Sequence, residues 1–185
     1  MELFLSVLIF IGKSIYATLP AIAANGAPIL MKKVNFLNYP IDFNKSFKSG
    51  ERILGDHKTF RGLFFGVLFA MIAINIQYLI YTLTKLELTI YDFSSINHLL
   101  LGFLMGFGVI MGDLTKSFIK RRLKIQPGQK FIPWDQIDCA LGGLLFGRIA
   151  WDFPIEYGIT IVIVTFILHI AIRYIASFFG VCEKW

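Results

Sequence analysis

The sequence predicts an all-α integral membrane protein, with five transmembrane helices in a single membrane-embedded domain that covers residues 1–185. Two observations carry this prediction. First, 56% of the residues are hydrophobic and 19 are Phe, and the mean hydropathy is +0.68, which is too apolar for a soluble domain of this size. Second, several apolar runs reach the roughly 20 residues that a helix needs to cross about 30 Å of hydrocarbon, and none alternates with the period of a β-barrel strand.

The placement of charge predicts how these helices are oriented. Seven Lys and Arg residues lie between Lys32 and Arg61 and six lie between Lys116 and Lys130, whereas the short loop between them carries only Lys85. Because basic loops stay in the cytosol, we expect cytosolic loops at about 25–61 and 117–134, the N-terminus outside and the C-terminus in the cytosol. Topology and an anionic ligand account for the net charge of +6, so we do not expect nucleic acid as a partner.

The first apolar run extends from Leu3 to about Ala24 and carries one charge, Lys13, near its middle. A lysine inside the membrane is energetically costly, which makes it a candidate functional residue. The alternative is that its side chain extends to the membrane surface or pairs for structural reasons. The sequence leaves both interpretations open.

The first loop begins with the turn-forming segment Asn25–Pro28 and ends with the polar segment Gly55–Gly62, directly before the second apolar run from Leu63 to about Thr84. A dense set of charged and hydroxyl side chains at a membrane surface is typical of a binding loop. The alternative is a basic cluster that stops translocation and touches anionic lipid, although the acid, the histidine and the threonine add nothing to that role. The polar members are Asp56, His57, Lys58, Thr59 and Arg61.

The third apolar run, from Leu99 to about Lys120, contains four glycines at spacings that let helices approach closely, and we interpret them as packing residues. The end of the run is polar, and in a helix its five polar residues share one face. A carboxylate beside a hydroxyl and three cations suits a bound metal and an anionic, phosphate-bearing ligand. The glycines are Gly102, Gly106, Gly108 and Gly112, and the polar residues are Asp113, Lys116, Ser117, Lys120 and Arg121.

The fourth apolar segment begins with a proline, a residue suited to a helix start. Asp135 and Asp138 follow it, one turn apart on one helix face. Acids in a first turn often only complement the helix dipole, but two carboxylates at the same expected depth as Asp113 favour a metal site. We expect this helix to cross from Trp134 to Asp152 and the fifth to return from Tyr157 to about Phe179.

The order of these motifs resembles the CDP-diacylglycerol synthase family. Gly112–Arg121 followed by Asp135-x-x-Asp138 is similar to that family's G-D-L-x-x-S-x-x-K-R and D-R-x-D, and the Lys58–Gly62 segment is similar to its K-T-W-E-G. The archaeal branch, the CDP-archaeol synthases, is more similar still. Its typical G-D-H-K-T-x-R-G, P-I-D and P-x-D-Q-x-D occur at Gly55–Gly62, Pro40–Asp42 and Pro133–Asp138. Each motif alone is weak, and their ordered combination over nearly the whole chain is specific.

The chain also departs from the bacterial pattern. The connector between Arg121 and Asp135 is shorter, Gln136 stands in place of the arginine of D-R-x-D, and Arg61 stands in place of the glutamate of K-T-W-E-G. These differences favour the archaeal branch and leave the nucleotide contacts of the connector unassigned.

The resemblance implies cytidylyl transfer in phospholipid biosynthesis. An isoprenoid ether-lipid phosphate, 2,3-di-O-geranylgeranylglyceryl phosphate, attacks the α-phosphate of CTP and gives CDP-archaeol and pyrophosphate. Mg²⁺ takes one or two carboxylates plus substrate phosphates, so Asp113, Asp135 and Asp138 are its expected ligands. The expected catalytic residues are Asp113, Lys120, Asp138 and Lys58, and the expected substrate-binding residues are Asn25, Asp42, Asp56, His57, Thr59, Arg61, Ser117, Arg121 and Gln136.

The expected partners are CTP, the lipid phosphate and membrane lipid, at a multi-pass protein of the cell membrane whose active site faces the cytosol. Two alternatives come from other classes of protein. A small ion or solute transporter also fits an intramembrane lysine and inward-facing carboxylates, but its site would lie near the midplane. A non-catalytic subunit that binds anionic lipid would tolerate loss of Asp138. The sequence leaves open the lipid tail chemistry, the base specificity, the division of the cations between the two substrates, the number of metal ions and the oligomeric state.

Overall fold

The computed structural model describes residues 1–47, 50–126 and 129–178, with the backbone alone at 173 and 176. These residues form five helices, which confirms the all-helical prediction: α1 Glu2–Leu30, α2 Phe60–Thr84, α3 His98–Arg122, α4 Trp134–Gly147 and α5 Ile155–Phe178. Four of them, α1, α2, α3 and the Ile155–Ile172 part of α5, are long and apolar enough to cross a membrane. α4 has 14 residues, or about 21 Å of helix, and is not among these four. The predicted cytosolic C-terminus lies outside the described residues.

The first loop starts later than predicted. α1 continues through Asn25–Pro28, which we expected to form a turn, and ends at Leu30. The reason is tertiary packing, because Ala24 and Ala27 are fully buried. In addition, the ring of Pro28 lies against α2, where a Cβ added to Gly62 would be 3.5 Å from the proline Cγ. Asn25 therefore projects from a helix.

The third loop also starts later than residue 117, because α3 continues to Arg122. The polar residues at the end of α3 remain helical because several of them pair with side chains of α4 and of the first loop. α2 begins with a side-chain cap, in which Thr59 Oγ1 accepts a hydrogen bond from the backbone N–H of Gly62 at 3.3 Å.

The glycines of α3 pack against two different helices, which confirms their interpretation as packing residues. Gly102 and Gly106 face α2, where Ile74 and Ala70 fill the space that side chains would need. Gly108 and Gly112 face α4, and a Cβ on either would overlap the backbone carbonyl of Gly142 or Asp138. Such close backbone approach is the use of small residues between membrane helices. It brings Asp113 of α3 next to Asp138 of α4.

An aromatic cluster closes the opposite end of the bundle. Trp151, just after α4, packs edge-to-face with Tyr91 of the second loop at 5.3 Å between ring centroids and in a tilted arrangement with Phe153 at 4.6 Å. The Tyr91 hydroxyl donates to Gln77 Oε1 at 2.5 Å, and the Gln77 amide donates to the Tyr16 carbonyl at 2.6 Å. The bundle therefore has one aromatic end and one charged end.

Candidate active site

Charged side chains from three segments meet at the charged end of the bundle. Lys58, at the end of the first loop, donates to Asp113 Oδ2 of α3 at 2.5 Å. Lys116 lies one turn further along α3, and its Nζ is 3.3 Å from Asp113 Oδ1 and 2.8 Å from Asp138 Oδ2 of α4. Because these contacts join the first loop, α3 and α4, they position the three segments relative to one another.

Asp135 extends the same set of contacts. Its carboxylate lies 3.5 Å from Lys116 Nζ and accepts hydrogen bonds from Lys120 Nζ at 3.2 and 3.3 Å. It also accepts the backbone N–H of Phe131 at 2.6 Å, and Lys120 donates to the Gln129 carbonyl at 2.5 Å. These bonds fix the connector between α3 and α4. We refer to the six side chains together as the charged cluster: Lys58, Asp113, Lys116, Lys120, Asp135 and Asp138.

Several polar atoms around the charged cluster are buried and lack a hydrogen-bond partner among the described residues. They include Arg121 Nε, Gln136 Oε1 and the carboxylate oxygens of Asp138, of which Oδ2 is ion-paired with Lys116 Nζ at 2.8 Å. Asp138 is 6% exposed. A buried polar atom without a partner costs free energy, and such atoms at a cluster of charges indicate a ligand that satisfies them.

The charged cluster opens into an apolar groove between α3 and α4 with a volume of about 530 Å³. Lys116 and Asp138 lie at one end, and the walls include Leu141, Leu145 and Phe146. Leu141 is 41% exposed and Leu145 is 72% exposed, which places apolar surface at the outside of the bundle. The groove therefore joins a charged head to a hydrocarbon-facing channel.

The first loop is organised around Asp42, whose side chain is fully buried. Its carboxylate accepts the Arg52 guanidinium at 2.7 Å and the backbone N–H groups of Leu54, Gly55 and Asn44. Burial raises the pKa of this carboxyl, but these donors outweigh burial and hold the pKa below its ordinary value. Both oxygens of Asp42 are thus used inside the loop.

Arg122, at the end of α3, attaches this loop to the bundle. Its guanidinium donates to the Arg52 carbonyl at 2.9 Å and lies 4.4 Å from the centroid of the Phe47 ring. The loop that carries Lys58 is therefore held against the helix that carries Asp113. Asp56 pairs with Arg52 and is exposed.

The structure brings together five of the predicted site residues: Asp113, Asp135, Asp138, Lys58 and Lys120. Ser117 and Arg121 are buried beside them on α3. The others lie apart from these carboxylates in the described contacts. Thr59 caps α2 and Arg61 donates to the Val34 carbonyl at 2.7 Å, while His57 is exposed. Asn25 accepts a hydrogen bond from the Cys139 thiol at 3.3 Å, and the Gln136 carbonyl contacts His169 Nδ1 at 3.1 Å.

Lys116 is the residue whose role sequence reasoning missed. The helical periodicity placed it with Asp113 on the polar face expected to bind metal and phosphate, but we assigned it neither a catalytic nor a binding role. Its position in the structure is central, because its ammonium lies within 3.5 Å of three carboxylates. The available signal was its spacing of three residues from Asp113 on a helix that otherwise faces apolar surroundings.

The intramembrane Lys13 lies far from this site. It borders a separate cavity of about 520 Å³ at the aromatic end, together with Tyr81 and Glu87. It takes no part in the charged cluster.

The carboxylates do not form a ready-made metal site. Within residues 1–47, 50–126 and 129–178, no three His, Cys, Asp or Glu side chains are close enough to hold an ion by themselves. Instead, the Lys116 ammonium lies between the three carboxylates. Mg²⁺ needs only one or two protein carboxylates when phosphates and water complete its shell. The Asp138 carboxylate, whose Oδ1 lacks a hydrogen-bond partner among the described residues and whose Oδ2 is paired with Lys116, is a suitable donor for it. The residues present therefore fit such an ion bound together with a phosphate ligand.

Comparisons with known proteins agree with this chemistry. Residues 5–185 match a family model described as CarS-like, CDP-archaeol synthase. A CDP-archaeol synthase of Archaeoglobus fulgidus is 39% identical over 89% of this chain and 91% of its own length. A CDP-archaeol synthase of Methanococcus maripaludis (strain C7) is 31% identical over 98% of this chain and 99% of its own length. A solved structure described as an intramembrane enzyme for archaeal membrane lipids biosynthesis is 27% identical, covers 86% of this chain and 92% of its own, and superposes with a TM-score of 0.68.

Proposed function

The chain belongs to the CarS-like family of CDP-archaeol synthases, and on this premise we propose that its charged cluster transfers a cytidylyl group from CTP to an isoprenoid ether-lipid phosphate. The product is CDP-archaeol, an intermediate of membrane lipid synthesis. The family is one of enzymes, which sets aside a transporter and a non-catalytic lipid-binding subunit. The observation that carries the assignment to this site is the meeting of three carboxylates and three lysines at the head of an apolar groove.

In this reaction an oxygen of the lipid phosphate forms a bond to the α-phosphorus of CTP. The bond from that phosphorus to the oxygen bridging to the β-phosphate breaks, and pyrophosphate leaves with the bonding electrons. The nucleophile is already an anion, so no side chain needs to remove a proton from it. The protein accelerates such a step mainly by holding two anionic groups in line and neutralising their charge.

The cations of the site suit this task. Lys58 contacts Asp113 and Lys120 contacts Asp135. Arg121 is buried on α3, and its Nε has no hydrogen-bond partner among the described residues. We assign these three to the phosphates, with Ser117 as a hydroxyl donor. Asp113, Asp135 and Asp138 would hold Mg²⁺, which supplies charge neutralisation at the phosphates when it is bound.

The remaining predicted site residues fall into two groups, those with a structural role and those that remain candidates for nucleotide binding. Asp42 and Thr59 have structural partners, so we assign them to the shape of the loop and to the start of α2. Asp56, His57, Arg61, Asn25 and Gln136 remain candidates for the nucleotide side. Asp56 and His57 are exposed on the loop, and Gln136 Oε1 is buried without a hydrogen-bond partner in the described chain.

We assign the lipid tails to the groove between α3 and α4. Its walls are apolar and exposed, and its charged end presents Lys116 and Asp138. A phosphate at that end would lie beside the carboxylates while its isoprenoid chains remain in hydrocarbon. An apolar groove can accept the tails of ether-lipid and diacyl phosphates alike, so the assay below has to measure the selectivity for the tails.

The same arrangement supports a proposal for the membrane topology. α4 runs antiparallel to α3, with Asp135 beside Lys120 and Gly147 beside Leu101, and Trp151 then reaches the aromatic end. It thereby accompanies nearly the whole of α3, so we propose that α4 and the following turn make a fifth crossing. Basic loops lie at the charged end, which supports a cytosolic active site, an outside N-terminus and a location in the cell membrane.

The test is to incubate the purified protein with Mg²⁺, labelled CTP and either an archaeal ether-lipid phosphate or a diacyl phosphatidic acid. We expect a CDP-lipid with the ether lipid, and its absence with both lipids would refute the function. Asp138→Asn should abolish turnover while the protein still inserts and purifies normally. Asp152→Asn is the matched control, because Asp152 is exposed in the turn that follows α4, away from the charged cluster. Normal turnover of Asp138→Asn would remove Asp138 from the site.

A further inference from the structure

The Lys116 ammonium lies among the three carboxylates that we assign to a divalent cation. Its Nζ is 2.8 Å from Asp138, 3.3 Å from Asp113 and 3.5 Å from Asp135, and its side chain is only 16% exposed. An ammonium and a metal ion cannot both lie between the same carboxylates, because the two positive charges repel strongly at such distances in a partly buried site. One of them has to leave before the other can bind.

The charges of the cluster lead to the same conclusion. The three carboxylates are neutralised in the structure by three lysines, Lys58, Lys116 and Lys120. These lysines and carboxylates together therefore carry no net positive charge that could attract a further anion. Both substrates of the proposed reaction bring phosphate groups. The lysines become available to phosphates only when another cation neutralises the carboxylates.

The groove has room for a second conformation of the Lys116 side chain. The residue lines the groove between α3 and α4, and a lysine ammonium on four rotatable bonds can change direction without movement of the helix. A turn of this side chain away from Asp138 would direct the ammonium toward the space that we assign to the lipid phosphate. Thr115, the preceding residue, lines the same groove.

We propose that Lys116 is an exchangeable counterion. It neutralises Asp113, Asp135 and Asp138 in the absence of a divalent cation, and it turns to bind the lipid phosphate once the cation has taken its place. The binding of metal and of lipid phosphate is therefore coupled through one side chain, with metal binding favouring lipid binding. This inference rests on the proposed function for the identity of the two ligands.

Two substitutions have opposite expected effects on metal binding. Lys116→Met removes the competing charge, so Mn²⁺ should bind to the protein without substrates about tenfold more tightly. Lys116→Arg keeps the charge and adds a planar fork that matches carboxylates, so Mn²⁺ should bind about tenfold more weakly. Lys116→Met should also raise the KM for the lipid phosphate about tenfold and leave the KM for CTP nearly unchanged.

The experiment measures Mn²⁺ binding to the full-length protein in detergent by electron paramagnetic resonance, with no substrate present, and then the two KM values with Mg²⁺. Lys85→Met is the matched control, because it removes the same charge after α2 at the aromatic end and should leave both measurements unchanged. A shift in the same direction for both Lys116 variants, or no shift, would overturn the proposal. If Lys116→Met does not fold, unchanged or tighter Mn²⁺ binding by Lys116→Arg overturns it.

The outcome is separable from that of the proposed function. If the wild-type protein forms no CDP-lipid, the function fails whatever the Mn²⁺ measurements show. If it forms CDP-lipid and the Mn²⁺ affinity of the Lys116 variants does not shift in opposite directions, the counterion proposal alone fails.

Discussion

Replacing Gly142 by alanine tests whether the close contact of α3 and α4 sets the geometry of the active site. Gly142 lies one turn after Asp138 and faces Gly108 and Gly112 of α3. A Cβ at this position would overlap the Gly108 carbonyl oxygen, and it would lie 2.9 Å from the Gly108 carbonyl carbon and 3.0 Å from the Gly112 Cα. All three neighbours are backbone atoms, so no side-chain rotation can relieve the overlap.

The size of the effect follows from these distances. Ordinary van der Waals contacts of a Cβ begin at 3.4 Å, so the two helices have to separate by roughly 1 Å. Asp138 moves with α4 and Asp113 stays with α3, which stretches the 2.8 Å contact between Lys116 and Asp138. A displacement of this size in a catalytic site lowers turnover about 100-fold, and the overpacking costs about 1–3 kcal/mol of folding stability.

The assay compares kcat/KM for the lipid phosphate and the thermal unfolding temperature in detergent. Gly147→Ala is the matched control on the same helix, because its Cβ would meet only the flexible side chains of Met105 at 3.4 Å and Leu101 at 3.7 Å. We expect this control to retain activity and stability. Wild-type turnover of Gly142→Ala, or an equal loss in Gly147→Ala, would refute the argument.

Two further predictions concern the first loop. Lys58→Ala leaves Asp113 without its 2.5 Å partner and removes a proposed phosphate ligand, so the KM for CTP or for the lipid phosphate should rise about tenfold or more. Unchanged KM values for both substrates would contradict this. The pKa of Asp42 is lowered in the folded protein, so its contribution to stability is present above the ordinary pKa of about 3.9 and is lost as the pH falls through the lowered value. Thermal unfolding between pH 7 and pH 3 should show that Asp42→Asn is less stable than the wild-type protein at neutral pH and loses less stability in acid. Equal losses of stability in acid for the variant and the wild-type protein would count against this role of Asp42.

The positions of the helices were predictable because they depend on local properties of the chain. Apolar runs of membrane length fix where α1, α2, α3 and α5 lie, and the repeat of 3.6 residues per turn places Asp113, Lys116 and Lys120 on one face. The motif order also pointed correctly to the family. The end of α1 was not predictable, because burial of Ala24 and Ala27 against neighbouring helices keeps the chain helical through Pro28.

The pairing of the site residues depended on tertiary structure. Lys58 and Asp113 are 55 positions apart, and no local pattern shows that they touch. Asp42 resembled a ligand-binding residue in its motif, whereas the fold surrounds it with donors from its own loop.

The sequence by itself thus determined that acidic and basic side chains gather at one end of a membrane bundle, since hydropathy and helical periodicity are properties of single segments. Only the tertiary structure decided which of them meet. The glycines of α3 and α4 set the distance and rotation between these two helices, and that arrangement places Lys116 between the three carboxylates. Contacts between separate helices depend on backbone distances that no single segment encodes.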